Sequence, residues 1–345
     1  MFKKVFIFSV SFLFFLSGCE TAANITNSES SGDFENYIVT EGTIIEGGIR
    51  KQTHFSIHTS EGEFVRKIDL PSDAVRSGAN SNGVYGDKIY YLSGSEDITT
   101  IAEIDPSTLE STIFDFTEST AAEPDNVLYG ITAWAVSSDN QLLAWVDTLG
   151  TLHIANRDGS VKSEYPMQST RSVGQAWVGF SNDLSSLYVW RQGTRLLEKI
   201  KLSEEISTSL ITSENGDFLI SPTNRYIVYS NFEIPLAIRD LSNNLDVPIT
   251  TPENYDGWYF DSFSPDESEL YFSGFQVHKE TDYFSVKTDG TNLTPIENER
   301  LQNIADFVSS SLAVIRCGDA TCLIDFETGS EPIQISEEWF LGKLQ

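Results

Sequence analysis

An all-β chain closing as a β-propeller, most simply with seven four-stranded blades, is what this 345-residue sequence predicts. Three observations predict it. A twelve-residue phrase recurs four times, as AVSSDNQLLAWV (135–146), GFSNDLSSLYVW (179–190), LISPTNRYIVYS (219–230) and SFSPDESELYFS (262–273), and the copies align without gaps. Its third residue is always serine, Ser137, Ser181, Ser221 and Ser264, at steps of 44, 40 and 43 residues. A second strand pair follows each phrase, so one period of this length holds four strands, as a propeller blade does. About 309 residues from Tyr37 onward divide into seven units of about 44, and six or eight units fit the length as well.

Taken in chain order, the first element is an export leader. MFKKVFIFSVSFLFFLSGCE carries Lys3 and Lys4, an apolar or small run from Val5 to Leu16, and Ser17-Gly18-Cys19. The run is too short for the roughly 20 residues of a membrane helix and has the composition of a secretory signal peptide, residues 1–18. Residues 19–36 are rich in Ser, Asn, Thr and Glu, with too few large apolar side chains to offset ordering entropy, and read as a flexible tether. The propeller domain then runs over 37–345. HFSIHTSEGEFVRKIDL (54–70) supplies the outer part of one unit, and GDKIYYLSGSEDITTIAEIDPSTLEST (86–112) most of another.

The four phrases come next. In each, an apolar strand leads into a Ser/Pro/Asn/Asp turn and a second strand rich in Tyr, Trp, Val and Ile, which is hairpin chemistry. Two of the hairpins that follow turn on Asp158-Gly159 and Asp289-Gly290, where glycine supplies the positive φ of a short turn. The serines of the phrase, with Asp266, read as structural turn residues that hydrogen-bond the backbone. Trp134, Trp145, Trp177, Trp190 and Trp258 lie in or beside the strands and read as packing between blades rather than as a sugar platform. VSSSLAVIRCGDATCLIDFETGSEPIQI (308–335) makes the last unit. In it, Cys317 and Cys322 flank Gly318-Asp319-Ala320-Thr321, and as a hairpin with a four-residue turn they face each other across the strand ends, near disulfide range. A disulfide fits an exported chain; two free thiols or a metal pair are the alternatives, and no further cysteine completes a zinc site.

Two resemblances attach to these residues. LSGC at 16–19, directly after the apolar run, resembles the bacterial lipobox, which implies lipid attachment to Cys19 with palmitate-type acylation, cleavage before it, and tethering by more than one acyl chain. A soluble secreted protein cut nearby is the alternative. Glu20 rather than aspartate after the cysteine favours, on that resemblance, the outer membrane, with the domain in the periplasm or facing outward. Phe263, Ser264, Pro265, Asp266, Leu270, Phe272 and Ser273 resemble the core of the TolB-like, WD-like propeller repeat. The other copies depart from it: Ser138 and Asn182 replace the proline, Thr223 replaces the aspartate, and Glu267 stands where glycine is usual. The resemblance implies fold rather than function, because propellers host binding modules and enzymes alike.

Charge and motifs bound the function. The formal charge is −29, or about −31 once Lys3 and Lys4 leave with the leader. Such a surface repels nucleic acid and anionic lipid headgroups, which are bound by Lys and Arg. The acidity itself reads first as a solubilising surface and second as a docking face. No Gly-x-Ser-x-Gly nucleophile elbow is present: GFSND at 179–183 has Asp183 at the second glycine. His54 and His58, in a strand, lie on one face about 13 Å apart, too far to share a metal. His153 and His278 read as strand or surface positions, with a metal site gathered from several blades as the weaker alternative, as in some propeller lyases acting on acidic sugars. No catalytic residue, metal or cofactor is assigned. The sequence is read as a membrane-anchored lipoprotein whose propeller binds an envelope protein or glycan, with a lyase or hydrolase of exported carbohydrate or peptide as the alternative.

Overall fold

A computed structural model describes residues 37–343 except 47–48, 73, 76–82, 96–97, 115–130, 148–149, 167–174, 205, 214–216, 232–235, 254, 278, 280, 297–303, 319 and 326–330. The described chain is all-β, with seven antiparallel sheets arranged as a β-propeller. Blade 1 joins the last strand, Trp339–Lys343, to Ile38–Glu46, Ile49–His58 and Phe64–Asp69. Blade 2 has its first strand in two pieces, Ala74–Val75 and Val84–Tyr85, both paired with Lys88–Ser95, followed by Ile98–Ile104 and Ser111–Phe114. Blade 3 is Ile131–Val136, Leu142–Asp147, Leu152–Asn156 and Val161–Tyr165; blade 4 is Ala176–Phe180, Ser186–Arg191, Leu196–Lys201 and Ile206–Thr212. Blade 5 is Phe218–Ile220, Tyr226–Tyr229, Ala237–Asp240 and Leu245–Pro248; blade 6 is Gly257–Phe263, Glu269–Phe275, Asp282–Lys287 and Thr294–Pro295. Blade 7 is Ile304–Phe307, Leu312–Cys317, Ala320–Asp325 and Ile333–Ser336.

First strands of neighbouring blades touch one another: Ile131–Val136 meets Ala176–Phe180, and Gly257–Phe263 meets both Phe218–Ile220 and Ile304–Phe307. The first strand of each blade is therefore the inner edge of the ring. The C-terminal strand pairs antiparallel with Ile38–Glu46 and touches Val84–Tyr85 of blade 2, so the two ends of the domain share blade 1 and lock the ring.

Why so many strands read as continuous apolar runs follows from the packing. Each blade is covered on both faces, so both sets of alternating side chains are buried. Trp134 and Val136 pack toward blade 2, while Ala133 and Ala135, from the same strand, pack toward blade 4. Among the described residues there are seven apolar clusters, one for each pair of neighbouring blades. Trp134, Trp145, Trp190 and Trp258 are all buried in these clusters, and Trp177 packs edge-on against Phe218. The outermost strands are the solvated ones, as in Ile206–Thr212, where only Ile211 is buried.

Candidate functional site

At the junction of blades 6, 7 and 1 lies a cavity of about 300 Å³, lined by Phe260, Asp261, Ile304, Ala305, Ile315, Arg316, Ala320, Thr321, Glu338 and Phe340. Its location has a cause in the backbone. Each of the three inner strands carries a register shift there: after Phe260 in blade 6, after Ile304 in blade 7, and beside Phe340 in the closing strand of blade 1. A bulge leaves one residue out of the ladder and re-aims side chains. The unpaired residues are Asp261, which falls between the Phe260–Phe272 and Ser262–Tyr271 pairs, Ala305, which falls between Ile304–Ile315 and Asp306–Val314, and Leu341, which falls between Gly342–Val39 and Phe340–Thr40.

Asp261 is half-buried, and its carboxyl has no hydrogen-bond or ion-pair partner among the described residues. Burial pushes it up to about 7. Among the described residues no cation is close enough to pull it back down. Glu338 is in the opposite situation. Thr40 Oγ1 donates to its Oε2 at 2.7 Å, and His54 Nε2 sits on its Oε1. Burial pushes this carboxyl up, but the hydrogen bonds from Thr40, His54 and Ser56 outweigh it and hold the group below the usual glutamate range. Gly42 makes room for His54: a Cβ at residue 42 would fall inside the imidazole. Thr321 Oγ1 donates to the Glu338 carbonyl at 2.6 Å, tying blade 7 to the segment that closes blade 1. Arg316 Nε donates to the Gly318 carbonyl at 3.0 Å.

Cys317 and Cys322 form a disulfide with Cα atoms 6.0 Å apart. The hairpin differs in register from the sequence reading: Cys317 pairs with Ala320 and Cys322 with Ile315, so the cysteines are diagonal rather than opposite. Gly318, at φ +67°, allows the tighter turn, and the third strand starts at Ala320 instead of after Thr321. This hairpin supplies Ile315, Arg316, Ala320 and Thr321 to the cavity wall, so the disulfide staples one side of the site.

The repeat serines lie elsewhere, in the turns between first and second strands. Ser137, Ser181 and Ser264 donate to Asp139, Asp183 and Asp266 at 2.6, 2.7 and 2.7 Å. Their hydroxyls, and that of Ser221, accept the backbone N–H of Leu142, Ser186, Glu269 and Tyr226 at 2.8 to 3.0 Å. His153 lies between Asp147 and Glu164, at 3.0 and 3.2 Å, and stacks on Trp145. His58 faces Thr40, and burial lowers it. Among the described residues no group of three or more His, Cys, Asp or Glu side chains is placed to hold a metal ion. His278 and Cys19 lie outside the described residues. Sequence reasoning missed Asp261, Arg316 and Glu338, because none sits in a repeated position and the bulge that carries Asp261 leaves no mark in composition.

Neither a family model nor a curated protein matches this chain. Solved structures do match. An oligogalacturonate lyase in complex with manganese superposes with a TM-score of 0.54 at 12% identity, covering 87% of this chain and 85% of that one. The oligogalacturonate lyase of Vibrio parahaemolyticus gives 0.54 at 9% identity over 88% and 86%. A protein of Bacteroides fragilis provisionally named a 6-phosphogluconolactonase gives 0.54 at 14% identity over 91% and 97%. The likeness is one of fold. At these identities it carries no activity over to this chain.

Proposed function

We propose that this chain is an exported lipoprotein, held at the cell envelope by acyl chains on Cys19, whose propeller binds a protein or glycan partner in the cavity at the junction of blades 6, 7 and 1. The leader and its LSGC end support the anchoring. One observation carries the binding reading: a half-buried carboxyl, Asp261, without a partner among the described residues and set on a bulge in a cavity with Phe260 and Phe340. An apolar concavity with a few convergent polar groups is the ordinary form of a ligand site. To test it, the lipidated chain and a Phe340→Ala variant are purified from detergent-solubilised membranes with their bound material. A protein or glycan recovered with the first and lost with the second supports the reading. Identical recovery overturns it, and intact-mass measurement of the mature N-terminus checks the acylation.

A second reading has its own observation. Asp261 and Glu338 line one cavity with affinities for protons pushed in opposite directions, the pattern of an acid/base pair. On that reading the cavity hydrolyses or eliminates across an exported carbohydrate or peptide bond. Turnover of such a polymer by the purified chain, abolished by Asp261→Asn and by Glu338→Gln, would favour it over binding alone.

A further inference from the structure

We infer that the cavity recognises an ammonium group on an apolar stem, as on a lysine side chain of a protein partner, with Asp261 as its counter-ion. This deepens the binding reading and rests on it. Three charged side chains line the cavity, and two of them are already engaged. Glu338 is held by Thr40 and His54, and Arg316 turns its Nε–H toward the Gly318 carbonyl of its own hairpin. Of the three, Asp261 is the one whose carboxyl has no hydrogen-bond or ion-pair partner among the described residues.

An ionised carboxylate out of water is stabilised most by a formal positive charge brought against it, more than by a neutral hydroxyl. The rest of the molecule selects the same sign, because a chain of net charge −29 enriches cations at its surface. The walls suit the stem. Phe260, Phe340, Ile304 and Ile315 give an apolar lining, and aromatic faces add attraction for ammonium. One residue before Phe260, Tyr259 is 57% exposed and stacked on Phe275 at 4.9 Å, a further aromatic face on the same inner strand. At about 300 Å³ the cavity is at the small end of ligand sites, a size for one side chain rather than an oligosaccharide.

The sign of the pH dependence follows. Ammonium binds the ionised form, whose fraction for a group titrating at about 7 rises about tenfold between pH 6 and pH 8. Binding releases a proton from Asp261. The other charged groups facing the cavity are Arg316 and Glu338, with His54 behind Glu338; Gly42→Ala, by displacing the imidazole, separates any part of His54 from that of Asp261.

The test uses the full mature chain in detergent micelles, titrated by saturation-transfer NMR with three probes: acetyl-Gly-Lys-Gly-amide, its Nε-acetylated counterpart, and neutral maltotriose. The lysine peptide should bind about tenfold tighter at pH 8 than at pH 6. The acetylated peptide should bind at least tenfold more weakly at pH 8, and Asp261→Asn, folded by circular dichroism, should lose both the affinity and the pH dependence. Equal binding of the two peptides, or pH-independent binding, overturns the inference. Maltotriose binding that is lost in Asp261→Asn overturns it while leaving the cavity as a glycan site. If no probe binds, or if binding is indifferent to both Asp261→Asn and Phe340→Ala, the cavity reading falls with it.

Discussion

Asn140, Leu184, Asn224 and Glu267 occupy the same place in the four phrases, three residues after the serine, and all four have positive φ, between 55° and 59°. This is the left-handed conformation that glycine adopts without cost. Glu267 departs from the usual glycine and is put to another use: its buried carboxylate accepts the backbone N–H and the hydroxyl of Thr223 in the neighbouring blade, the latter at 2.6 Å. Asn140 reaches the preceding blade in the same way, to Tyr90 at 2.9 Å and Asp87 at 3.2 Å. Glu267→Ala should therefore cost about 1.5–3 kcal/mol, as the loss of hydrogen bonds to a charged group, and Glu267→Gly about 1 kcal/mol less, since glycine relieves the φ. Urea unfolding of the two variants checks the order. Aspartates of the turns make a second prediction. Serine or threonine hydrogen bonds hold Asp158, Asp183, Asp240, Asp266 and Asp289 below the usual range, Asp183 at about 2 against 3.8 unperturbed. The unfolded chain therefore takes up protons near pH 4 that the folded chain refuses. The aspartates' contribution to stability should be complete above that pH and be lost as the pH drops toward 2, less steeply in Asp183→Asn, as urea midpoints at pH 5, 4 and 3 would show.

At the level of elements, the phrase and its Ser–Asp turn were legible because they repeat, and so were the paired strands around Asp158-Gly159 and Asp289-Gly290, whose glycines sit at φ +84° and +79°. A second repeated signal was there to be read, Asp-x-Ser or Asp-x-Thr at the turn between third and fourth strands in four of the units. Asp105, Asp158, Asp240 and Asp289 accept the N–H of Ser107, Ser160, Ser242 and Thr291 at 2.7 to 2.9 Å. Bulges were not legible, since Asp261 or Ala305 is extra only relative to the strand beside it. Nor was the inner strand of blade 2, which is cut into two pieces of two residues each. The cysteine hairpin carries the prediction that belongs here. A short closed loop lowers the entropy of the unfolded chain by an amount worth about 2 kcal/mol. Reduction, or Cys317→Ser with Cys322→Ser, should lower the unfolding midpoint and raise hydrogen exchange at Arg316–Thr321 first, leaving blades 3 to 5 protected until global unfolding.

For the whole molecule, the charge of −29 sets a cost of compaction that salt screens. The thermal midpoint should rise between 10 mM and 500 mM sodium chloride, about the range over which the Debye length falls from 30 Å to a few ångströms. Closure into a ring was read from the repeats, but the strand that closes it was not. WFLGK, at 339–343, precedes no repeated phrase, and its partner Ile38–Glu46 lies at the other end of the domain. Yet this pairing makes the blade that brings Glu338 and Phe340 to Asp261, so the candidate site exists only in a closed ring. Hydrogen–deuterium exchange of the full chain tests that closure most directly. Amides of Trp339–Lys343 should exchange as slowly as those of Ile38–Glu46, the two strands opening together; fast exchange in Trp339–Lys343 while Ile38–Glu46 stays protected would mean that the ring is not closed by its C-terminus.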